Sequence, residues 1–198
     1  MKRAGPAGRT RLALFISGGG RTALNIADAI DAGKLDAEIA IVVASRPCAG
    51  LERVRDRGLP AVLEPGPMSS DRVEAVLRSS DAELVCLAGY LHLLPIPAGW
   101  SGRVLNIHPS LLPKFGGLGM YGDAVHRAVL ESHEPLSGCT VHLCTGEYDR
   151  GPIIVQRRCP VEPNDTVQTL AKRVFAEECL AYPEAIAEMI RRGSPATP

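Results

Sequence analysis

The sequence predicts an α/β protein, a Rossmann-like, doubly wound and mostly parallel sheet that ends in an antiparallel strand pair. Three observations carry this expectation. Short, continuously aliphatic runs alternate with stretches of helical spacing through the first half, and strands that are apolar on both faces need helices above and below a parallel sheet. The last third instead holds two apolar runs, CTVHLCT and PIIVQRRCPV, on either side of a turn over residues 146–151, which is the pattern of adjacent antiparallel strands. With 45% hydrophobic residues in 198, the chain has the material for one core that buries roughly 70% of its extended surface.

Residues 11–17 (RLALFIS) form the first apolar run, closed by Gly18, Gly19 and Gly20, and helical spacing follows over 22–30. The alternation continues with 37–45 (AEIAIVVAS) and a helix from Leu51, then AVL and a helix from Asp71, then 83–89 (ELVCLAG). Residues 103–108 (RVLNIH) read as a further buried strand, but the segment PSLLPKFGG after them cannot continue a ladder. Its prolines make Leu112–Pro113 a candidate cis bond. Helical spacing resumes over 121–130. Asp165, with Gln168 three residues on, reads as the start of a last helix that reaches Arg192 and kinks at Pro183. Residues 1–10 read as a flexible leader and 11–198 as a single domain. No apolar stretch has the length of a signal peptide or a membrane span.

Lys plus Arg and Asp plus Glu balance at 22 each, so no global field draws the chain to nucleic acid or an anionic membrane, and any anion site is local. The six cysteines form no C-x-x-C pair, and are read as reduced thiols in a cytoplasmic protein. The histidines lack metal-ligand spacing, so no metal is expected.

The turn Gly18-Gly19-Gly20-Arg21-Thr22 joins the first strand to the first helix. There the backbone N–H groups and the helix's positive end can hold a phosphate, and a side chain at Gly20 would crowd the anion. A tight connection without a ligand explains the glycines equally well. The turn is not a Walker loop, and as a dinucleotide fingerprint it lacks both the third glycine and the acid after the second strand, which weakens a reductase reading. Asn106 and His108 share one face at the carboxyl end of a strand, where open α/β sheets place ligands. A lone Asn-x-His more often only satisfies loop backbone. Asp149 by itself reads as a turn former, and His142 as a satisfied, half-buried histidine.

Taken together, NIHPSLLP (106–113), GCTVH (138–142) and YDRGPII (148–154) resemble the formyltetrahydrofolate-dependent formyltransferases. The likeness extends through SGGG, GLERVRDRG (50–58), LAGYLHLL (87–94) and EECLAYPEAI (177–186). It implies the formyltransferase fold, a catalytic trio of Asn106, His108 and Asp149, and 10-formyltetrahydrofolate as cosubstrate, with no metal. It further implies phosphate and ribose contacts from Gly18, Gly19, Gly20, Arg21, Thr22 and Glu178. Gly89, Tyr90, Leu91, His92, Leu93 and Leu94, with His142 and Tyr148, would wrap the folate. In such an enzyme an amine adds to the formyl carbon and gives a tetrahedral intermediate. Asn106 would donate to its oxyanion, His108 would donate or carry a proton, and Asp149 would orient His108, hold its charge or relay a proton.

The branch resembled most formylates glycinamide ribonucleotide in purine synthesis, working as a monomer or homodimer on small molecules alone. Length argues for it, since other branches add a C-terminal nucleic-acid-binding domain or an N-terminal regulatory one. A sugar-nucleotide amine as acceptor, or hydrolysis of the formylfolate, is the alternative. Three departures bear on the acceptor: Arg21-Thr22 where the family commonly reads Ser-Asn, His92 where an Arg commonly stands, and the segment GGLGMYGDAVHR (116–127).

Overall fold

The aliphatic runs become the strands of one sheet, and the stretches of helical spacing become its covering helices. The computed structural model describes residues 8–193. In chain order the elements are β1 (Thr10–Ile16), α1 (Arg21–Asp31), β2 (Ala37–Ala44), α2 (Ala49–Asp56), β3 (Ala61–Leu63), α3 (Ser70–Ser79), β4 (Leu84–Leu87), β5 (Val104–His108), α4 (Asp123–Glu131), β6 (Leu136–Leu143), β7 (Ile153–Pro160) and α5 (Val167–Arg192). Residues 1–7 of the expected leader lie outside the described residues, whereas Thr10 already belongs to β1.

The seven strands are ordered β3-β2-β1-β4-β5-β6-β7. Pairing is parallel from β3 through β5, and β6 runs antiparallel to both β5 and β7. The winding direction reverses between β1 and β4, which puts a ligand crevice outside the carboxyl ends of β1, β4 and β5. Alternate residues of β1 feed two cores. Leu12, Leu14 and Ile16 pack with Ile26 of α1 and Tyr182 of α5, while Ala13 and Phe15 pack with Val73 and Leu77 of α3. Two covered faces explain why these strands are apolar without alternation.

Helix α5 closes one face. The Tyr182 side chain is fully buried, and its hydroxyl lies 3.0 Å from the carbonyl oxygen of Leu87 and 3.2 Å from that of Leu105. The helix starts one residue later than the sequence suggests. Thr166 is the N-cap and exchanges hydrogen bonds with Thr169 in a capping box, because Asp165 is engaged by Arg173 and by the N–H of Glu162. At the other expected landmark α5 runs on through Pro183. Proline cannot donate to the carbonyl four residues back; that oxygen, of Cys179, accepts instead from Asn25 Nδ2 of α1 at 3.1 Å. Among the described residues no helix is long and apolar enough to cross a membrane.

Candidate active site

Three loops at the carboxyl ends of β1, β4 and β5 meet the β6–β7 turn. The first is the glycine turn after β1. Its peptide oxygens are all taken by the protein: Ser17 O by Arg46 Nε at 2.6 Å, Gly18 O by Gly50 N at 2.9 Å, Gly19 O by Arg53 Nη1 at 2.8 Å and Gly20 O by Leu24 N at 3.0 Å. Gly20 adopts left-handed φ of 71° as the N-cap of α1, a conformation that favours glycine. A Cβ on Gly20 would lie 2.7 Å from Gly50 Cα. Contrary to the sequence-based expectation, therefore, a side chain at Gly20 would strike the start of α2 rather than an anion beside the loop. Arg21 and Thr22 open α1, and the Arg21 guanidinium lies over the Phe175 ring, 3.9 Å from its centroid. Glu178 stands three residues beyond Phe175. Burial pushes its carboxyl up to about 7, against the opposing charge of Arg21.

The second loop follows β4. Tyr90, His92, Leu93 and Leu94 line a cleft with His142, Tyr148, Asn106 and Asp149. Gly89 and Leu91 do not: the Gly89 carbonyl accepts from Ser17 N at 3.0 Å, and Leu91 N donates to Ser17 Oγ, also at 3.0 Å. Ser17 Oγ in turn meets Ser45 Oγ at 2.7 Å, so one hydroxyl ties the glycine turn to the cleft loop. The buried Tyr90 hydroxyl has no partner. The enclosed part of the cleft is only about 50 Å³.

The third group is polar, with its histidines buried and Asn106 and Asp149 half-buried. Pairing of β5 with β6 sets Asn106 opposite His142 and His108 opposite Thr140, and the β6–β7 turn swings Asp149 underneath. Asp149 adopts φ of 55°, a region that Asp tolerates better than most residues. Its Oδ2 accepts from Gly117 N at 2.9 Å and lies 3.4 Å from His108 Nδ1, and its Oδ1 lies 3.4 Å from both His142 Nε2 and Asn106 Nδ2. Asn106 Nδ2 also meets His142 Nε2 at 3.2 Å. Because Phe115 O can only accept, His108 Nε2 carries the proton in their 2.7 Å hydrogen bond. The neutral tautomer therefore leaves the Nδ1 lone pair facing Asp149. His142 is deeper than the sequence suggests, at 2% exposure, and its Nδ1 donates to Leu143 O at 2.9 Å.

The electrostatics pull in opposite directions. Burial lowers the His108 pKa, outweighing the nearby Asp149 carboxylate and the Phe115 carbonyl, which raise it. Burial alone would raise Asp149, but hydrogen bonds from His142 and Gly117 and the charges of both histidines hold it below its ordinary value. At neutral pH the cluster therefore holds an ionised carboxylate beside an uncharged His108.

The sequence and the fold are similar to those of known proteins. The formyl transferase family model matches residues 10–186. The chain belongs to that family. Its sequence is 40% identical to the chloroplastic phosphoribosylglycinamide formyltransferase of Arabidopsis thaliana over 90% of this chain, and spans 64% of that relative's length. It is similar to glycinamide ribonucleotide transformylase 1 from Symbiobacterium toebii, with 36% identity and a TM-score of 0.84 over 94% of this chain and 90% of that one. It is also similar to phosphoribosylglycinamide formyltransferase from Brucella melitensis, with 36% identity and a TM-score of 0.83 over 96% and 100% of the two chains. The seven-stranded, mostly parallel sheet with its antiparallel β6 and β7 is the formyltransferase fold.

Sequence reasoning missed several residues around this cleft. Ser45 and Arg46 anchor the glycine turn from the loop after β2 and Arg53 from α2, Phe175 holds Arg21, and Cys144 lines the cleft. Only Arg53, inside the GLERVRDRG segment, carried any signal.

Proposed function

We propose that this chain transfers the formyl group of 10-formyltetrahydrofolate to the amine of glycinamide ribonucleotide. One observation carries the reading: an Asn106–His108–Asp149 cluster opens, through Asn106 and Asp149, into a cleft that Ser17 ties to a glycine turn with its carbonyls engaged. The folate supplies the formyl group. Leu93, Leu94 and Tyr90 of the cleft fit its ring system, and the unpartnered Tyr90 hydroxyl is a ready contact for one of its polar edges. Gly18, Gly19, Gly20, Arg21 and Thr22 would take the acceptor's phosphate, and Glu178 its ribose hydroxyls.

The chemistry follows from the tautomers. As the amine adds, its nitrogen must lose a proton, which passes by way of the cleft-lining Asp149 to the Nδ1 lone pair of His108 behind it. The imidazolium so formed is held by the Asp149 carboxylate 3.4 Å away. Negative charge grows on the formyl oxygen at the same time. Asn106 can exchange its long 3.4 Å contact with Asp149 for that oxygen, and losing such a donor typically raises a barrier by about 3 to 4 kcal/mol. When the intermediate collapses, the oxyanion re-forms the carbonyl, the bond from the formyl carbon to the folate nitrogen breaks, and the proton held by His108 returns to that leaving nitrogen.

We further infer a single domain over residues 11–198, acting on small molecules as a monomer or homodimer in the cytoplasm without nucleic acid or membrane partners. The balanced charge and the six free cysteines support this. The deciding experiment supplies 10-formyltetrahydrofolate with glycinamide ribonucleotide, with an amino sugar nucleotide, or with water alone, and follows the formylated product. Formylation of the sugar nucleotide alone, or hydrolysis alone, would overturn the proposal.

A further inference from the structure

Arg21 is the departure that sits in the middle of the glycine turn. It is exposed on the first turn of α1, and no hydrogen bond or ion pair engages its guanidinium among the described residues. Its one fixed contact is the Phe175 ring, 3.9 Å from centroid to guanidinium carbon. Glu178 lies one helical turn further on the same helix, near enough for its ionisation to feel the Arg21 charge. An arginine so placed has an obvious alternative, which is to pair with Glu178. That pair would consume both the cation available to a phosphate and the carboxylate available to sugar hydroxyls.

We propose that Phe175 is a positioning residue that holds the Arg21 guanidinium flat beside the glycine turn, presented to the acceptor's phosphomonoester and kept apart from Glu178. The proposal rests on reading the turn as the acceptor phosphate site. A planar guanidinium stacks on a ring face and still offers its in-plane N–H groups to phosphate oxygens, which a lysine ammonium does not do. With the carbonyls of residues 17–20 engaged behind it, the turn presents its N–H side, and Arg21 adds the mobile charge that the ring immobilises.

The test measures ribose 5-phosphate binding by calorimetry, which needs no turnover, alongside steady-state kinetics with glycinamide ribonucleotide. Phe175→Leu should weaken ribose 5-phosphate and raise the acceptor KM about threefold, the scale of one exposed cation–π contact. Phe175→Tyr keeps the ring and should match the wild type. Arg21→Ala should lose about tenfold, as expected for a charge-assisted contact at a partly exposed site. Because the ring acts through Arg21, the double variant Arg21→Ala/Phe175→Leu should bind no more weakly than Arg21→Ala. The folate KM should not move in any variant. Arg21→Lys provides a route free of helix perturbation and should lose about threefold despite keeping the charge. Additive losses in the double variant, or Arg21→Lys binding like the wild type, would overturn the clamp. A wild type that binds ribose 5-phosphate with this mutational pattern but does not formylate glycinamide ribonucleotide would overturn the acceptor assignment and leave the clamp standing. Absence of ribose 5-phosphate binding would remove both.

Discussion

Replacing Asp149 by Asn removes one charge and little else. The left-handed backbone at φ 55° suits Asn as well as Asp, and an Asn side-chain oxygen can still accept the Gly117 N–H that now reaches Asp149 at 2.9 Å. The lost interaction is with a protonated His108, whose Nδ1 lies 3.4 Å from Asp149 Oδ2; two full charges at that distance attract by about 5 kcal/mol at an effective dielectric of about 20. With a proton about half transferred in the transition state, about 2 to 3 kcal/mol of that is forfeited, or roughly a hundredfold in turnover. The assay is kcat at saturating concentrations of both substrates, with thermal unfolding alongside to show that Tm shifts by no more than a few degrees. A second readout is the His108 titration followed by NMR in the free protein. Since the Asp149 charge raises the His108 pKa, that pKa should fall further in the variant. Turnover within tenfold of the wild type, with an unmoved His108 titration, would refute the assignment of His108 and Asp149 as a proton-transfer pair.

Three other perturbations probe the scaffold. Gly50→Ala would put a Cβ 2.4 Å from Gly18 O and 2.7 Å from Gly20 N, so the turn must shift; a fall in stability of about 1 to 3 kcal/mol by denaturant titration, with a raised acceptor KM, is expected. Tyr182→Phe leaves the Leu87 and Leu105 carbonyls without their buried donor, and should cost about 1 to 2 kcal/mol by the same measurement. Glu178 has a folded-state pKa near 7 against an ordinary 4.5, so its favourable contribution is complete below pH 4.5 and is lost as pH rises through 7. Glu178→Gln mimics the neutral acid at every pH. Its stability should match the wild type near pH 5 and exceed it by about 1 to 3 kcal/mol at pH 8, and a difference independent of pH would contradict the burial argument.

The strands were legible because both sheet faces are covered, so runs such as LALFI and IVVA announce themselves without alternation. Their order was not, since nothing local in AVL says that β3 lies at an edge while β1 sits beside β4. The start of α5 was misread by one residue because Asp165 is a good cap in isolation, and only the fold shows Arg173 engaging it. In the site, period-two spacing was enough to put Asn106 and His108 together. The third and fourth members depend on distant pairing: His142 arrives through its register opposite Asn106, and Asp149 through the turn that follows. Arg46 reaches the glycine turn from the loop after β2, Arg53 from α2 and Phe175 from α5, and contacts of that range leave no periodic trace in a sequence.

Pro183 has a use beyond its neighbourhood. By withholding an N–H it leaves one carbonyl of α5 unclaimed, and that vacancy is where Asn25 docks. Helix α1 opens at Arg21 and α5 carries Phe175 and Glu178, so the two helices form opposite jaws of the inferred acceptor pocket. Packed apolar side chains hold two helices together without a preferred bond direction, whereas a bond to a single oxygen adds a preference for one height and one rotation. The gap in the helix ladder thus serves as a registration mark. It adds one directional tie to the apolar packing that α1 and α5 already share, so substitution of Asn25 tests what that bond contributes to the register of the two helices without altering Arg21, Phe175 or Glu178.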